Sequence, residues 1–270
     1  RMKLSLSTIS TLNASFAEDV AAYAAAGFDA IGLWEFKLPE DDAANVAALR
    51  DAGLAVSNCI PTVPSFLRLA IPGMEGPPDP EERIDAICLS IRRLAVYDPE
   101  CVLCLSGPLG ARSEAEGRKI VVEGLRRSAT AAREAGVRLG FEPIHPAQRD
   151  TAGFVTSLAD ALALLHDASA DDVGIMADAF NLGHETDEAL VAAVERFTGV
   201  HVADELPEPV AGVRALPTAD GRSAQIVRAI RAAGWDGTVD VEIFSTPDGF
   251  WALPPGDAAR RAHAAASSLC

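Results

Sequence analysis

Apolar residues along this 270-residue chain alternate between two periods. Short runs rich in Val, Ile, Leu and Ala fall at 3–7, 30–34, 55–60, 101–106, 137–142, 173–178, 199–203 and 238–243. Each has the length of a strand rather than of a helix. Between them the spacing becomes helical. "SFAEDVAAYAAAG" opens on Ser15, a residue able to cap, and closes on Gly27; "DDAANVAALRDAG" ends at Gly53, "SEAEGRKIVVEGLRRSATAAREAG" at Gly136 and "GRSAQIVRAIRAAG" at Gly234. Glycine stops a helix there because it alone enters the left-handed conformation without a Cβ penalty. "PPGDAARRAHAAASSL" supplies a final helix. Eight strand-then-helix units in a chain of this length predict an α/β fold, a (β/α)8 TIM barrel filling residues 1–270 as one catalytic domain. A doubly wound open sheet is the alternative, but no glycine-rich phosphate loop follows the first strand.

In a barrel one parity of each strand faces the helices and the other faces the interior. In "VRLGFE" the apolar Val137, Leu139 and Phe141 suit the helix layer, which turns Gly140 and Glu142 inward. The same parity turns Gly174, Met176 and Asp178 inward in "VGIMAD", His201 in "GVHVAD", and Asp240 and Glu242 in "TVDVEI". Four consecutive strands thus each deliver a polar side chain near the carboxyl end, where barrel enzymes build their active sites: Glu142, Asp178, His201 and Glu242. Three carboxylates with no Lys or Arg on those inward positions repel one another, and a divalent cation relieves the conflict. The oxygen-rich set with one imidazole suits Mn²⁺ or Mg²⁺, with Co²⁺ and Zn²⁺ as further candidates.

Composition narrows the partners. A formal net charge of −16 argues against nucleic acid, which is bound through clustered Lys and Arg. No apolar run approaches the ~20 residues of a membrane span. The opening "MKLSLSTIST" lacks the apolar core of a signal peptide, and Arg1 before Met2 reads as an appended residue. Five cysteines do not form a disulfide framework. Cys101 and Cys104, three apart on a strand, point to opposite faces and read as core residues rather than a metal pair. A reducing cytoplasm is the expected compartment.

The ordered motifs "GFDAIGLWEFKL", "LGFEPIHPAQRD", "GIMADAFN", "VHVADELPEP" and "GWDGTVDVEIFSTPDGFW" resemble, over essentially the whole chain, the sugar phosphate isomerase/epimerase family. These are xylose-isomerase-like barrels that include ketose 3-epimerases and inosose dehydratases. The resemblance implies that Glu142, Asp178, His201 and Glu242 share one divalent metal with positions open to substrate oxygens. It also implies that the two glutamates face each other across the substrate as acid and base. Two departures bear on the substrate. Where ketose epimerases often carry a histidine three residues after the metal aspartate, this chain has Asn181, expected to bind substrate by hydrogen-bonding a hydroxyl but unable to titrate. The loop after the seventh strand, "VRALPTADGR", keeps Arg214 and Pro217 but loses the family's first glycine.

The expected chemistry is isomerisation or epimerisation of a keto-sugar or keto-polyol through an enediolate, with Glu142 taking the proton and Glu242 returning one. A lyase that eliminates water or an aglycone through the same enediolate is the alternative. An apurinic-site endonuclease needs more metal histidines and a basic face than a chain with His145, His166, His184, His201 and His263 provides. A non-catalytic sugar-binding module leaves the opposed glutamates without a purpose. Trp34 and Trp251 are expected to stack on the substrate, His145 and Arg214 to contact it, and Glu35 to be a solvated loop residue. Residues 61–80 form the longest irregular connection; Phe66, Leu67, Leu69 and Ile71 within it suggest a lid, with Phe66 touching substrate. A homo-oligomer or partner subunit is compatible with the sequence, which carries no feature that decides it.

Overall fold

A computed structural model describes residues 2–269. Eight parallel strands close into a barrel in chain order: β1 (Leu4–Ser7), β2 (Ala30–Trp34), β3 (Ala55–Ile60), β4 (Cys101–Leu105), β5 (Leu139–Glu142), β6 (Gly174–Asp178), β7 (Phe197–Val202) and β8 (Val239–Val241). Pairing of Leu4, Ser5 and Leu6 with Val239, Asp240 and Val241 seals β1 to β8. The connecting helices are α1 (Phe16–Ala26), α2 (Asp42–Ala52), α3 (Pro80–Leu94), α4 (Glu114–Ala135), α5 (Leu158–Asp167), α6 (Asp187–Ala192), α7 (Arg222–Ala232) and α8 (Pro255–Ser267).

Local signals set the helix ends. Ser15 and Ser113 each form a reciprocal capping box, with Glu18 and Glu116 respectively, which satisfies amide donors that the first turn leaves free. Gly27 and Gly136 close α1 and α4 at φ 92° and 73°. The first strand residues after α4 differ from expectation: Val137 donates its amide to the Ala132 carbonyl, so it finishes the helix and β5 starts only at Leu139. Strand β8 is also shorter than its apolar pattern. The Ile243 amide goes to Ser10 Oγ at 2.9 Å rather than to a neighbouring strand, and Glu242 lies just past the last ladder residue.

Two apolar layers follow from the strand parity. The outer one, between strands and helices, holds Leu139, Phe141, Ile175, Val200, Val202, Val239 and Val241. A smaller inner layer holds Trp34, Ile60, Leu103, Leu105, Ile144 and Met176. Cys101 belongs to the inner layer and Cys104 to the outer, as expected of residues three apart on a strand, and both are free. Among the described residues, no helix is long and apolar enough to cross a membrane.

Candidate metal centre

Side chains from four adjacent strands meet at the carboxyl end of the barrel. Glu142 ends β5, Asp178 ends β6, His201 lies one residue before the end of β7, and Glu242 follows β8. One potential ligand atom from each lies within 4.8 Å of the others, and all four residues are buried. This is the set that strand parity predicts.

The electrostatics differ from the sequence expectation. The inward positions carry no Lys or Arg, but the loop after β7 folds back and brings one in. Asp204 and Ala215 exchange backbone hydrogen bonds at 3.0 and 2.8 Å, and the Arg214 amide donates to the Phe244 carbonyl at 2.8 Å. That anchorage drops the Arg214 guanidinium between two carboxylates: Nη1 lies 2.7 Å from Asp178 Oδ2 and 2.9 Å from Glu242 Oε2. The guanidinium is flanked by the Phe180 and Phe244 rings, 4.7 and 5.0 Å from their centroids, so its plane is held by cation–π contact as well as by charge. Arg214 is therefore a buried partner of the acidic cluster, neither a surface salt bridge nor a free substrate clamp.

One guanidinium does not neutralise three carboxylates. The His201 nitrogens, moreover, have no hydrogen-bond partner among the described residues. Nδ1 lies 3.3 Å from Glu242 Oε2, and Nε2 lies 3.4 Å from Asp240 Oδ2, a fourth buried carboxylate. Three carboxylate oxygens and an imidazole nitrogen with a carboxylate on its far side form a donor set that suits a divalent ion, the outer carboxylate fixing the ring orientation. Glu142, Asp178, His201 and Glu242 are the residues that would hold it.

The proton affinities reflect this crowding. Burial, reinforced by Asp178, lifts Glu142 well above the usual carboxylate range. Burial also raises Glu242, although His201 and Arg214 pull against it. Asp178 resists its burial and sits below its ordinary value, held there by Arg214, His201 and the Phe180 amide. For His201, burial favours the neutral ring, yet Glu242 and Asp240 push the imidazole up to about 10 in the metal-free protein.

Above the cluster opens a cavity of about 690 Å³. Glu142, Glu242 and Arg214 reach it from below, and Trp34 and Trp251 line it. Residues 61–80 contribute Leu69, Ile71 and Met74 to its wall, consistent with a cover. Phe66 does not reach the cavity. Its fully buried ring packs on Gly124 of α4, where a Cβ would come within 2.3 Å of it, so the expected substrate contact is corrected to an anchor of the loop.

Asn181 is also displaced from its expected role. Its Nδ2 donates to Glu142 Oε1 at 2.9 Å and its Oδ1 accepts from the His145 amide at 3.1 Å, so both ends of the amide orient the site. His145 caps the following turn through Nδ1, accepting from the Ala147 amide, and faces Glu205 at 3.1 Å through Nε2; it is absent from the cavity wall. Glu35 is buried rather than solvated. It accepts from Ser90 Oγ and the Thr62 amide at 2.6 and 2.8 Å and pairs with Arg93, fixing the start of the cover. The sequence reading missed the Phe180–Arg214–Phe244 stack and the role of Asp240, although inward parity already marked Asp240.

A family model described as xylose isomerase-like TIM barrel matches residues 20–268. Protein SMc04130 from Sinorhizobium meliloti 1021 superposes with a TM-score of 0.84 at 24% identity, covering 99% of this chain and 98% of that one. The IolI protein, solved with a bound zinc atom, gives 0.79 at 18% identity over 99% and 98% of the two chains. An L-ribulose 3-epimerase gives 0.73 at 18% identity over 100% and 95%. At these identities the structural likeness is one of fold. No curated protein matches the sequence significantly.

Proposed function

The chain belongs to the xylose isomerase-like TIM barrel family, and on that premise we propose that it is a divalent-metal-dependent isomerase or epimerase that shifts a proton beside the carbonyl of a keto-sugar or keto-polyol. The observation that carries this reading is the meeting of Glu142, Asp178, His201 and Glu242 within 4.8 Å, with both glutamates reaching the cavity. When bound, a Mn²⁺ or Mg²⁺ ion supplies Lewis acidity that polarises the substrate carbonyl and steadies enediolate charge.

The protein's own groups divide the proton work. Glu142 takes the proton α to the carbonyl: burial raises its proton affinity, which strengthens it as a base once ionised. Asn181 Nδ2, at 2.9 Å, holds its Oε1 in place. Glu242 returns a proton to the opposite face, its carboxylate aligned by Arg214 Nη1. A lyase that expels water or an aglycone from the same enediolate is the second reading. It is favoured by Asn181, which orients Glu142 but offers no titrating group of its own.

The test is exchange in D₂O with the Mn²⁺-loaded protein and a panel of ketoses, inososes and keto-glycosides, followed by mass spectrometry. Deuterium enters at the carbon beside the carbonyl with no other mass change. In Glu142→Gln and Glu242→Gln it falls by about 10²-fold or more, the usual scale of a lost acid or base. Loss of water or aglycone instead moves the protein to the lyases. Near-native exchange in either variant removes that glutamate from proton transfer.

A further inference from the structure

The cavity is built for a different surface from that of a bare sugar. A keto-sugar carries a hydroxyl on nearly every carbon, and each buried hydroxyl requires a partner. Apart from the acidic cluster and Arg214, the polar side chains of the wall are Thr62, Gln148, Thr151 and Ser245. Two of these are partly engaged locally: Thr151 Oγ1 donates its hydrogen to the Gln148 carbonyl, and Ser245 Oγ accepts from the Phe250 amide.

The remaining wall is carbon. Trp34, Phe244 and Trp251 run edge to face, with centroids 5.7 and 6.4 Å apart in turn. Both indoles have already used their N–H groups, Trp34 on Ser7 Oγ at 3.1 Å and Trp251 on the Ile9 carbonyl at 2.7 Å. They therefore offer ring carbon rather than donors to a ligand. From the cover, Leu69, Ile71 and Met74 close the other side, Met74 adding an adaptable thioether. The apolar lining also descends to the strands themselves, through Ile60, Leu103 and Leu105, with Ile144 just past the end of β5. A second protein capping the mouth would not reach these positions, so their occupant is a small molecule. A volume of about 690 Å³ matches a ligand well beyond the size of a triose.

The geometry points to a substrate with two unlike ends: a compact α-hydroxyketone head that meets the acidic cluster, and a rigid aromatic or alicyclic body that fills the apolar cavity. This rests on the enolising reading for the head and names the chemical class of the rest. Specificity then lies in the body, because apolar filling of the cavity is where binding energy is available.

The experiment uses Mn²⁺-loaded protein and four probes sharing one head: dihydroxyacetone, fructose, α-hydroxyacetophenone and its naphthyl homologue. Binding is read by titration calorimetry, and α-carbon exchange in D₂O by mass spectrometry after subtracting exchange in buffer. The aryl ketones bind at least about tenfold more tightly than dihydroxyacetone or fructose, with the naphthyl compound ahead of the phenyl. Equal or weaker binding of the aryl ketones overturns the inference, and so does failure of all four to bind. If the aryl preference holds but no deuterium enters any probe, the apolar body stands and the enolising reading falls, taking the assignment of the head with it. If fructose exchanges while the aryl ketones do not bind, the enolising reading stands and the apolar body is wrong.

Discussion

Glu142 and Glu242 share one site but keep different company. Glu142 is held by a neutral amide, Asn181, whereas Glu242 is held by the Arg214 guanidinium. In the metal-free protein, Glu142 is raised well above the ordinary carboxylate range by burial, and His201, despite burial, is raised to about 10 by its acidic neighbours. His201 therefore retains a proton at neutral pH that metal ligation would have to expel, and the raised proton affinity of Glu142 adds to that competition. Affinity for Mn²⁺ accordingly rises with pH through neutrality toward about pH 10, where His201 gives up its proton, and binding releases protons. Titration calorimetry in buffers of different ionisation enthalpy measures both; a pH-independent affinity without proton release contradicts this account of the two side chains. At this scale the four candidate ligands were legible, because inward parity and strand-end position are local properties. Arg214 was not. Its place is set by loop pairing between Asp204 and Ala215 and by the Phe180 and Phe244 rings, contacts that no local period records.

Among the elements, the segment between β3 and α3 decides the cavity wall. The apolar cluster within it reads as a uniform cover, but the structure divides it. Ser65 bridges to Leu105, and the Phe66 and Leu67 amides continue along β4 to the carbonyls of Leu105 and Ser106. This parallel extension turns Phe66 outward onto Gly124, while Leu69 and Ile71 line the cavity. Pairing with a distant strand thus overrides what composition implies. Arg83, fully buried at the start of α3, pins the same segment: Nε donates to the Ser65 carbonyl at 2.8 Å, Nη2 to Ser65 Oγ at 2.7 Å, and Nη1 to the Glu75 and Pro77 carbonyls at 2.6 and 2.9 Å. Arg83→Met removes these donors and leaves buried acceptors unpaired, at a cost on the order of 1–3 kcal/mol for each group kept from water. Hydrogen exchange across residues 65–77 then accelerates while the barrel strands keep their protection. Unchanged exchange there would show that Phe66 and Leu67 hold the cover without Arg83.

At the scale of the whole molecule, barrel closure converts sequence order into a site. The ligands come from β5, β6, β7 and the end of β8, adjacent in the closed order, so residues 100 positions apart from Glu142 to Glu242 become neighbours without any long loop. The alternating pattern made this architecture legible, and the resemblance of the ordered motifs agreed with it; strand ends were less so, since β5 starts after a helix-closing bond and β8 yields to Ser10 Oγ. The central claim is that this convergence holds one divalent ion despite the buried Arg214. Its most direct test is Mn²⁺ stoichiometry after equilibrium dialysis, measured for the parent protein and for Asp178→Asn and His201→Ala, with folding of each checked by circular dichroism. The account predicts one tightly held ion per parent chain and substoichiometric metal in both folded variants. A parent protein that holds no Mn²⁺ above the dialysis background, or folded variants that hold as much as the parent, would contradict it.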